Sequence, residues 1–348
     1  MIERIRKLGN GIHDIDGLRA HLQTAIEVEH STIPPYLCAL YSLHGTDNSL
    51  AAYVVRSVVM EEMLHMALAA NVLNAIGGEP KIDKGDFMPQ YPAKLPGSAG
   101  EFEVELLPFS RKALHTFLRI EQPEKIDAPP EADHYHTLGQ FYHALDIGLR
   151  TVCAGDKHFS KTPRNQVMAE QYYGSAGELI AVTNLETALT ALATIRDQGE
   201  GVKDKILDGD PGLFGEGKNY AHYFRFNELV HGRFYDAKDK PSDPPSGGPL
   251  KVDWDAVYPM RPNPHAKDFA AGSEVRAKVD GFNRAYSDFL RLLHKAFNGA
   301  PERLTDSVPV MYGLRHRAVE LMRIPSGGGM NAGPAFEFVA GHAERAHA

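Results

Sequence analysis

Two apolar patterns of helical period, about 14–44 and 48–76, stand a short break apart. On the first, Asp14 or Asp16 can serve as cap, and Leu18, Leu22, Ala25, Glu29 and Ile33 share a stripe. The break is His44-Gly45-Thr46-Asp47, and the second pattern stops at Gly77-Gly78 with Pro80 beyond. A connection this short forces the two helices to lie antiparallel as neighbours. Pro34-Pro35 predicts a kink in the first.

The remaining chain is mainly helical. Helices are predicted over about 184–204, 218–235, 274–297 and 302–323, and over Tyr135–Val152. Residues 79–178 form a proline-interrupted crossover whose alternating run 101–106 predicts a strand. The pentamer Gly-Ser-Ala-Gly-Glu occurs at 97–101 and 174–178 and reads as loop at both places. The expected architecture is a four-helix bundle with a long crossover insertion between helices 2 and 3 and extra C-terminal helices. Its parts are a bundle over 1–235 with insertion 79–178, a Pro/Gly/Asp-rich linker over 236–268, and a helical extension over 269–348 packing on the bundle.

The chemistry lies in acids that fall inside apolar stripes. Glu-x-x-His occurs at Glu27/His30, Glu62/His65, Glu131/His134 and Glu228/His231. On a helix this spacing points both side chains to one face, where they can share a metal. Spacing alone is weak in a chain with 17 histidines, so the setting decides. Glu131 follows Pro129-Pro130 in a polar stretch, and Glu27 and His30 read as lying on the polar side of the first helix. Glu62 and His65 sit among Val55, Val58, Ala69, Val72 and Ile76; Glu228 and His231 sit with Tyr220, Phe224 and Tyr235. Burying a carboxylate without a counter-charge is prohibitive, so acids on such stripes call for a cation.

A four-helix di-metal site needs one further glutamate on each remaining helix. Glu29 lies on the apolar stripe of the first helix. The third offers Glu186 or Glu200; Glu200 is preferred for its distance from Glu228, although it lies about 100° off the Leu185/Leu192/Ile195 stripe. Four carboxylates balance two divalent ions, and a set of carboxylates with two histidines suits iron or manganese better than zinc. Tyr36, Tyr41, Tyr220 and Tyr223 read as packing residues.

Five stretches carry a resemblance: LQTAIEVEHSTIPPYLCALYSL (22–43), VVMEEMLHMALAANVLNAIGGEP (58–80), TNLETALTALATIRDQGEG (183–201), HYFRFNEL (222–229) and NAGPAFEF (331–338). In these the chain resembles the ferritin-like superfamily, and more narrowly the ferritin-like domain of the iminophenyl-pyruvate dimer synthases. The resemblance implies metal ligands at Glu29, Glu62, His65, Glu200, Glu228 and His231, with two iron ions, or manganese, as cofactor. Glu62 and Glu228 would bridge, and Glu29 and Glu200 would be terminal.

The function expected is therefore a di-iron oxidase or oxygenase acting on a small organic substrate with dioxygen or peroxide, its catalytic residues beyond the ligands unassigned. Ferroxidase, iron-store or peroxide-scavenging activity, and a metal-free helical interaction module, are the alternatives. A net charge of −8 without long basic runs argues against nucleic acid and anionic membranes as partners. Two cysteines, Cys38 and Cys153, exclude a disulfide framework or a cysteine metal cluster. The N-terminus lacks the apolar core of a signal peptide, and no run of 18 apolar residues spans a bilayer, so a cytoplasmic protein is expected. Self-association of the bundle is a further expectation.

Overall fold

The computed structural model describes residues 11–341 except 46, 96–101, 124–137, 173–177, 201–205, 212–217 and 237. The pair Glu131/His134 and most of both Gly-Ser-Ala-Gly-Glu pentamers lie outside the described residues. The fold is mainly helical, with α1 (Ile15–Ser42) and α2 (Ser49–Ala75) as its longest packed pair.

Local chemistry sets the ends of this hairpin. Asp14 caps α1, its carboxylate accepting from Gly17 N at 2.7 Å, a contact that stabilises a helix by about 1 kcal/mol. At the far end of α2, Gly77 has φ +77°, Gly77 N donates to Asn74 O, and Gly78 N donates to Leu73 O at 2.8 Å. That is the glycine-dependent stop expected from Gly77-Gly78. Pro34 and Pro35 stay within α1. Pro35 has no N–H to offer Ser31 O four residues back, and Tyr91 OH donates to that carbonyl at 2.7 Å instead.

In the crossover, β1 (Ala93–Leu95) pairs antiparallel with β2 (Phe102–Val104), inside the run where alternation predicts a strand. A helix the periodicity reading passed over follows: α3 (Arg111–Ile120), capped by Ser110, whose hydroxyl accepts from Ala113 N. Next come α4 (Leu138–Val152) and α5 (Leu185–Glu200). The helix expected over 218–235 is shorter. Residues Lys218–Tyr220 form strand β4, paired with β3 (Leu207–Pro211), and α6 runs only His222–His231 before Gly232 at φ +65°. Helices α3 to α6 pack against α1 and α2.

The C-terminal α7 (Glu274–Phe297) and α8 (Arg303–Leu321) form a second hairpin that also packs on α1 and α2. Buried asparagines of the first hairpin tie in distant segments. Asn74 Nδ2 donates to Asn165 O and Phe297 O, and Asn48 exchanges two hydrogen bonds with the Asp253 backbone. Residues 253–258 are thus pinned along the α1–α2 turn, where Tyr258 N also reaches Ser42 O. Packed from both sides, α1 buries even Glu27 and His30, which the sequence pattern assigns to a polar face. No helix among the described residues is long and apolar enough to cross a membrane.

Candidate metal centre

The α1–α2 hairpin brings Glu29, Glu62 and His65 together. Glu29 and Thr32 lie one turn apart on α1, and Glu62 and His65 one turn apart on α2. His65 Nδ1 stands 3.1 Å from Glu29 Oε2, and Thr32 Oγ1 donates to Glu62 Oε2 at 3.0 Å. These three expected residues offer ligand atoms within 4.8 Å of one another, all buried.

A second group shares Glu62 but is completed by Glu121 and His222. Glu121 directly follows α3, and His222 opens α6. His222 Nδ1 lies 3.0 Å from Glu62 Oε1 and 3.4 Å from Glu121 Oε2. It nevertheless has no hydrogen bond of acceptable geometry, although it is fully buried.

Glu228 and His231 stand elsewhere. Glu228 Oε1 accepts from Tyr235 N at 2.7 Å, and burial pushes this carboxyl up to about 7. His231 is exposed at the end of α6. The reason is helical geometry: six and nine residues beyond His222 are about 9 and 13 Å further along the axis, and position 231 faces the opposite side. Glu200 is the last residue of α5, and its side chain lies outside the described residues. The preceding Gly199 borders the site, where a Cβ would stand 3.8 Å from Glu121 Oε2.

The two halves are built alike. His65 Nε2 is held by Gln198 Oε1 at 2.8 Å, and His222 Nε2 by Glu61 Oε2 at 2.7 Å. Each ring thus has its outer nitrogen tethered and turns Nδ1 toward the carboxylates, the arrangement by which outer partners fix a ligating imidazole. Tyr142 OH donates to Glu29 Oε1, and Tyr36 OH donates to Glu121 Oε1. Tyr36 is therefore a polar partner of the cluster as well as a packing residue against Phe117 and Phe226. Arg225 Nη2 reaches Glu61 Oε2 at 2.6 Å, and Nη1 accompanies it with a bond to Ser57 Oγ.

Electrostatics follow from this crowding. Burial, then the negative charges of Glu121 and Glu29, push Glu62 up to about 8. Burial opposes charge on Glu61 as well, but Arg225 and His222 overcome it and hold Glu61 below the usual range. Burial pulls His222 down, yet Glu121 and the neighbouring carboxylates raise it well above an ordinary histidine. Three carboxylates and two imidazole nitrogens converge with one nitrogen unsatisfied, a donor set chemically suited to cations. A cleft of about 30 Å³ opens on it between Thr32, Ile120, Leu138 and Gly199.

A ferritin-like family model matches residues 22–231, which contain every residue of the cluster. The chain belongs to the ferritin-like family. A solved ferritin-like protein from Caulobacter vibrioides superposes with a TM-score of 0.62 at 24% identity, covering 93% of this chain and 99% of that one. Among curated relatives, dichlorochromopyrrolate synthase of Lentzea aerocolonigenes is 26% identical over 80% of this ferritin-like chain. The 2-imino-3-(indol-3-yl)propanoate dimerase of Chromobacterium violaceum is 25% identical over 91% of it. The matches take in 29% and 33% of those proteins, so the chain spans about a third of their length.

Sequence periodicity passed over Glu121 and His222, yet each carries the signal that singled out Glu62. Glu121 continues the buried positions Leu114, Phe117 and Ile120 of α3, and His222 shares a stripe with the buried Phe226 and Leu229 of α6.

Proposed function

We propose that the chain is a non-haem di-metal oxidoreductase, with iron or manganese as the resident ions, acting on a small organic molecule with dioxygen or peroxide. The observation that carries this reading is Glu62, a buried carboxylate common to two ligand groups, each with its own glutamate and histidine. Glu29 and His65 would hold one ion, Glu121 and His222 the other, and Glu62 would be shared. Glu200 is retained as a fourth carboxylate, supported by the position of Gly199 beside Glu121 and by the charge it would bring to two divalent ions.

Bound metals would supply electrons and Lewis acidity to an oxidant at open coordination positions. The chain's own residues do the rest. Gln198 and Glu61 orient the two imidazoles, and Arg225 offsets the Glu61 charge so that it does not repel the cluster. Tyr142 and Tyr36 hold protons at Glu29 and Glu121, one in each half. Phe117 and Phe226 keep water from the Tyr36 side. The name of the Chromobacterium violaceum relative, a 2-imino-3-(indol-3-yl)propanoate dimerase, supports an organic substrate of the aromatic 2-imino acid class.

The size of the cleft favours a second reading: about 30 Å³ admits a molecule of dioxygen size, as ferrous-ion oxidation or peroxide removal requires. Anaerobic loading with ferrous ion followed by dioxygen separates the two. The oxidoreductase reading expects oxidation of no more than about two irons per chain, and added aromatic 2-imino acid to be consumed with oxidant. Repeated oxidation of excess iron, with no organic compound consumed, establishes the second. Failure to retain iron or manganese overturns both.

A further inference from the structure

A second cavity lies away from the metal cluster. On α1 the cluster uses Glu29, Thr32 and Tyr36, whereas His30, Ile33, Leu37 and Leu40 line a separate space of about 400 Å³. On α2 the cluster uses Glu62 and His65, while Val59, Met63 and Met66 line the cavity. One residue's offset turns each set by about 100°, so the hairpin presents one face to each site. The far wall is the C-terminal hairpin, with Tyr286, Phe289 and Phe297 from α7 and Leu304, Met311 and Leu314 from α8. The volume falls within the range of small-molecule sites. Its wall is apolar and rich in methionine, a side chain that adapts to irregular ligands.

Among the polar groups of this lining, which include Ser49, Ser307 and several tyrosines, His30, Arg315 and Arg56 mark its two ends. At the inner end His30, 1% exposed, meets Tyr286 OH through Nε2 at 2.9 Å, and its Nδ1 has no hydrogen-bond partner. At the opposite end Arg315 and Arg56 line the rim, and Arg315 is close enough to Tyr41 for its charge to act on the phenol. Both arginines are exposed, and neither makes an ion pair with any described residue. From His30 to the level of Tyr41, α1 advances about 16 Å. An apolar channel of that length with cationic groups at its mouth and one unsatisfied buried nitrogen at its inner end defines a ligand.

We propose that this cavity is a second binding site, for an elongated amphipathic organic acid: a carboxylate at Arg315 and Arg56, an apolar body along the methionines and aromatics, and a hydrogen-bonding group opposite His30. The inference is independent of the metal centre. An unpaired buried polar atom gains a partner only from a ligand with a polar inner end, and a solvent-exposed guanidinium selects an anionic outer end.

Calorimetric titration of the full chain with ω-hydroxydodecanoate, dodecanoate and dodecanol tests it. Saturable one-to-one binding is expected, tightest for the hydroxy acid and weakest for the alcohol. Arg315→Glu should weaken both acids roughly fivefold and spare the alcohol. His30→Leu should remove the roughly threefold to tenfold advantage of the hydroxy acid over dodecanoate. Ala52→Trp and Met311→Trp, each filling the cavity away from the cluster, should abolish binding while the circular dichroism and metal content stay those of the parent. Absence of saturable binding by the parent overturns the proposal. So does binding that is unchanged in both tryptophan variants, or equal for acid and alcohol in the parent.

Discussion

The rings of His65 and His222 lie with centroids 5.5 Å apart and an angle of 21° between their planes. They come from α2 and α6, yet each has Nε2 tethered outward and Nδ1 turned toward a carboxylate of the cluster, Glu29 for His65 and Glu62 for His222. The tethers differ in kind: a neutral amide at Gln198, and at Glu61 a carboxylate that is itself paired with Arg225. This difference makes the two halves of the centre separable by mutation.

Glu61→Gln should act at two levels. It breaks the buried Glu61–Arg225 ion pair, a change that costs about 3–5 kcal/mol in comparable buried pairs. It also removes the carboxylate that orients His222, which should weaken metal binding about 10–100-fold. Gln198→Leu should weaken binding in the other half while costing less stability. Chemical denaturation beside chelator competition measures both quantities. Equal stability losses in the two variants would contradict the assigned roles.

Much of this arrangement can be read in the amino-acid pattern, and the shortfall has a physical source. Helices α1 and α2 announce themselves because caps, stops and apolar period agree over nearly thirty residues each. Glu29, Glu62 and His65 follow because they are acids and a histidine on those stripes. The α6 region misleads because Tyr220 belongs to a strand, and Glu228-x-x-His231 repeats the spacing of Glu62-x-x-His65 without its position in space. Glu121 was hidden by its place beyond a ten-residue helix inside a crossover. Which of several short helices reaches the bundle core is decided by tertiary packing, and spacing along the chain does not carry that information.

Tyr91 substitutes for the N–H that Pro35 lacks. Tyr91→Phe should therefore leave Ser31 O unsatisfied and cost about 1–3 kcal/mol. In a Pro35→Ala background the restored N–H can serve the same carbonyl, so the Tyr91→Phe penalty should shrink. A double-mutant cycle by urea denaturation measures the coupling; additive effects would show that Tyr91 plays no such part.

Burial lowers His30 from the ordinary histidine value of 6.5 to about 3. Between those values the unfolded chain binds a proton that the folded chain refuses, so stability must fall as pH drops through that window. The loss due to this group should reach about 2 kcal/mol at pH 5. His30→Gln should lose correspondingly less stability than the parent between pH 7 and pH 5. Parallel slopes for the two proteins would refute the assignment.

Tyr142→Phe and Tyr36→Phe each remove a proton donor from a carboxylate of the cluster, one at Glu29 and one at Glu121. Each should lower metal affinity about tenfold without unfolding the chain, the scale expected of partners one shell beyond the ligands. Chelator competition on each single variant checks this, and unchanged affinity in both would remove the phenols from the centre.

The central claim, that His222 rather than His231 completes the centre, is tested most directly by metal content per chain. Wild type, His222→Ala and His231→Ala should be loaded with ferrous ion without oxygen, desalted and measured by mass spectrometry. The geometry predicts about two ions in wild type and in His231→Ala, and about one or fewer in His222→Ala. Two ions retained in His222→Ala, with loss in His231→Ala, would contradict it.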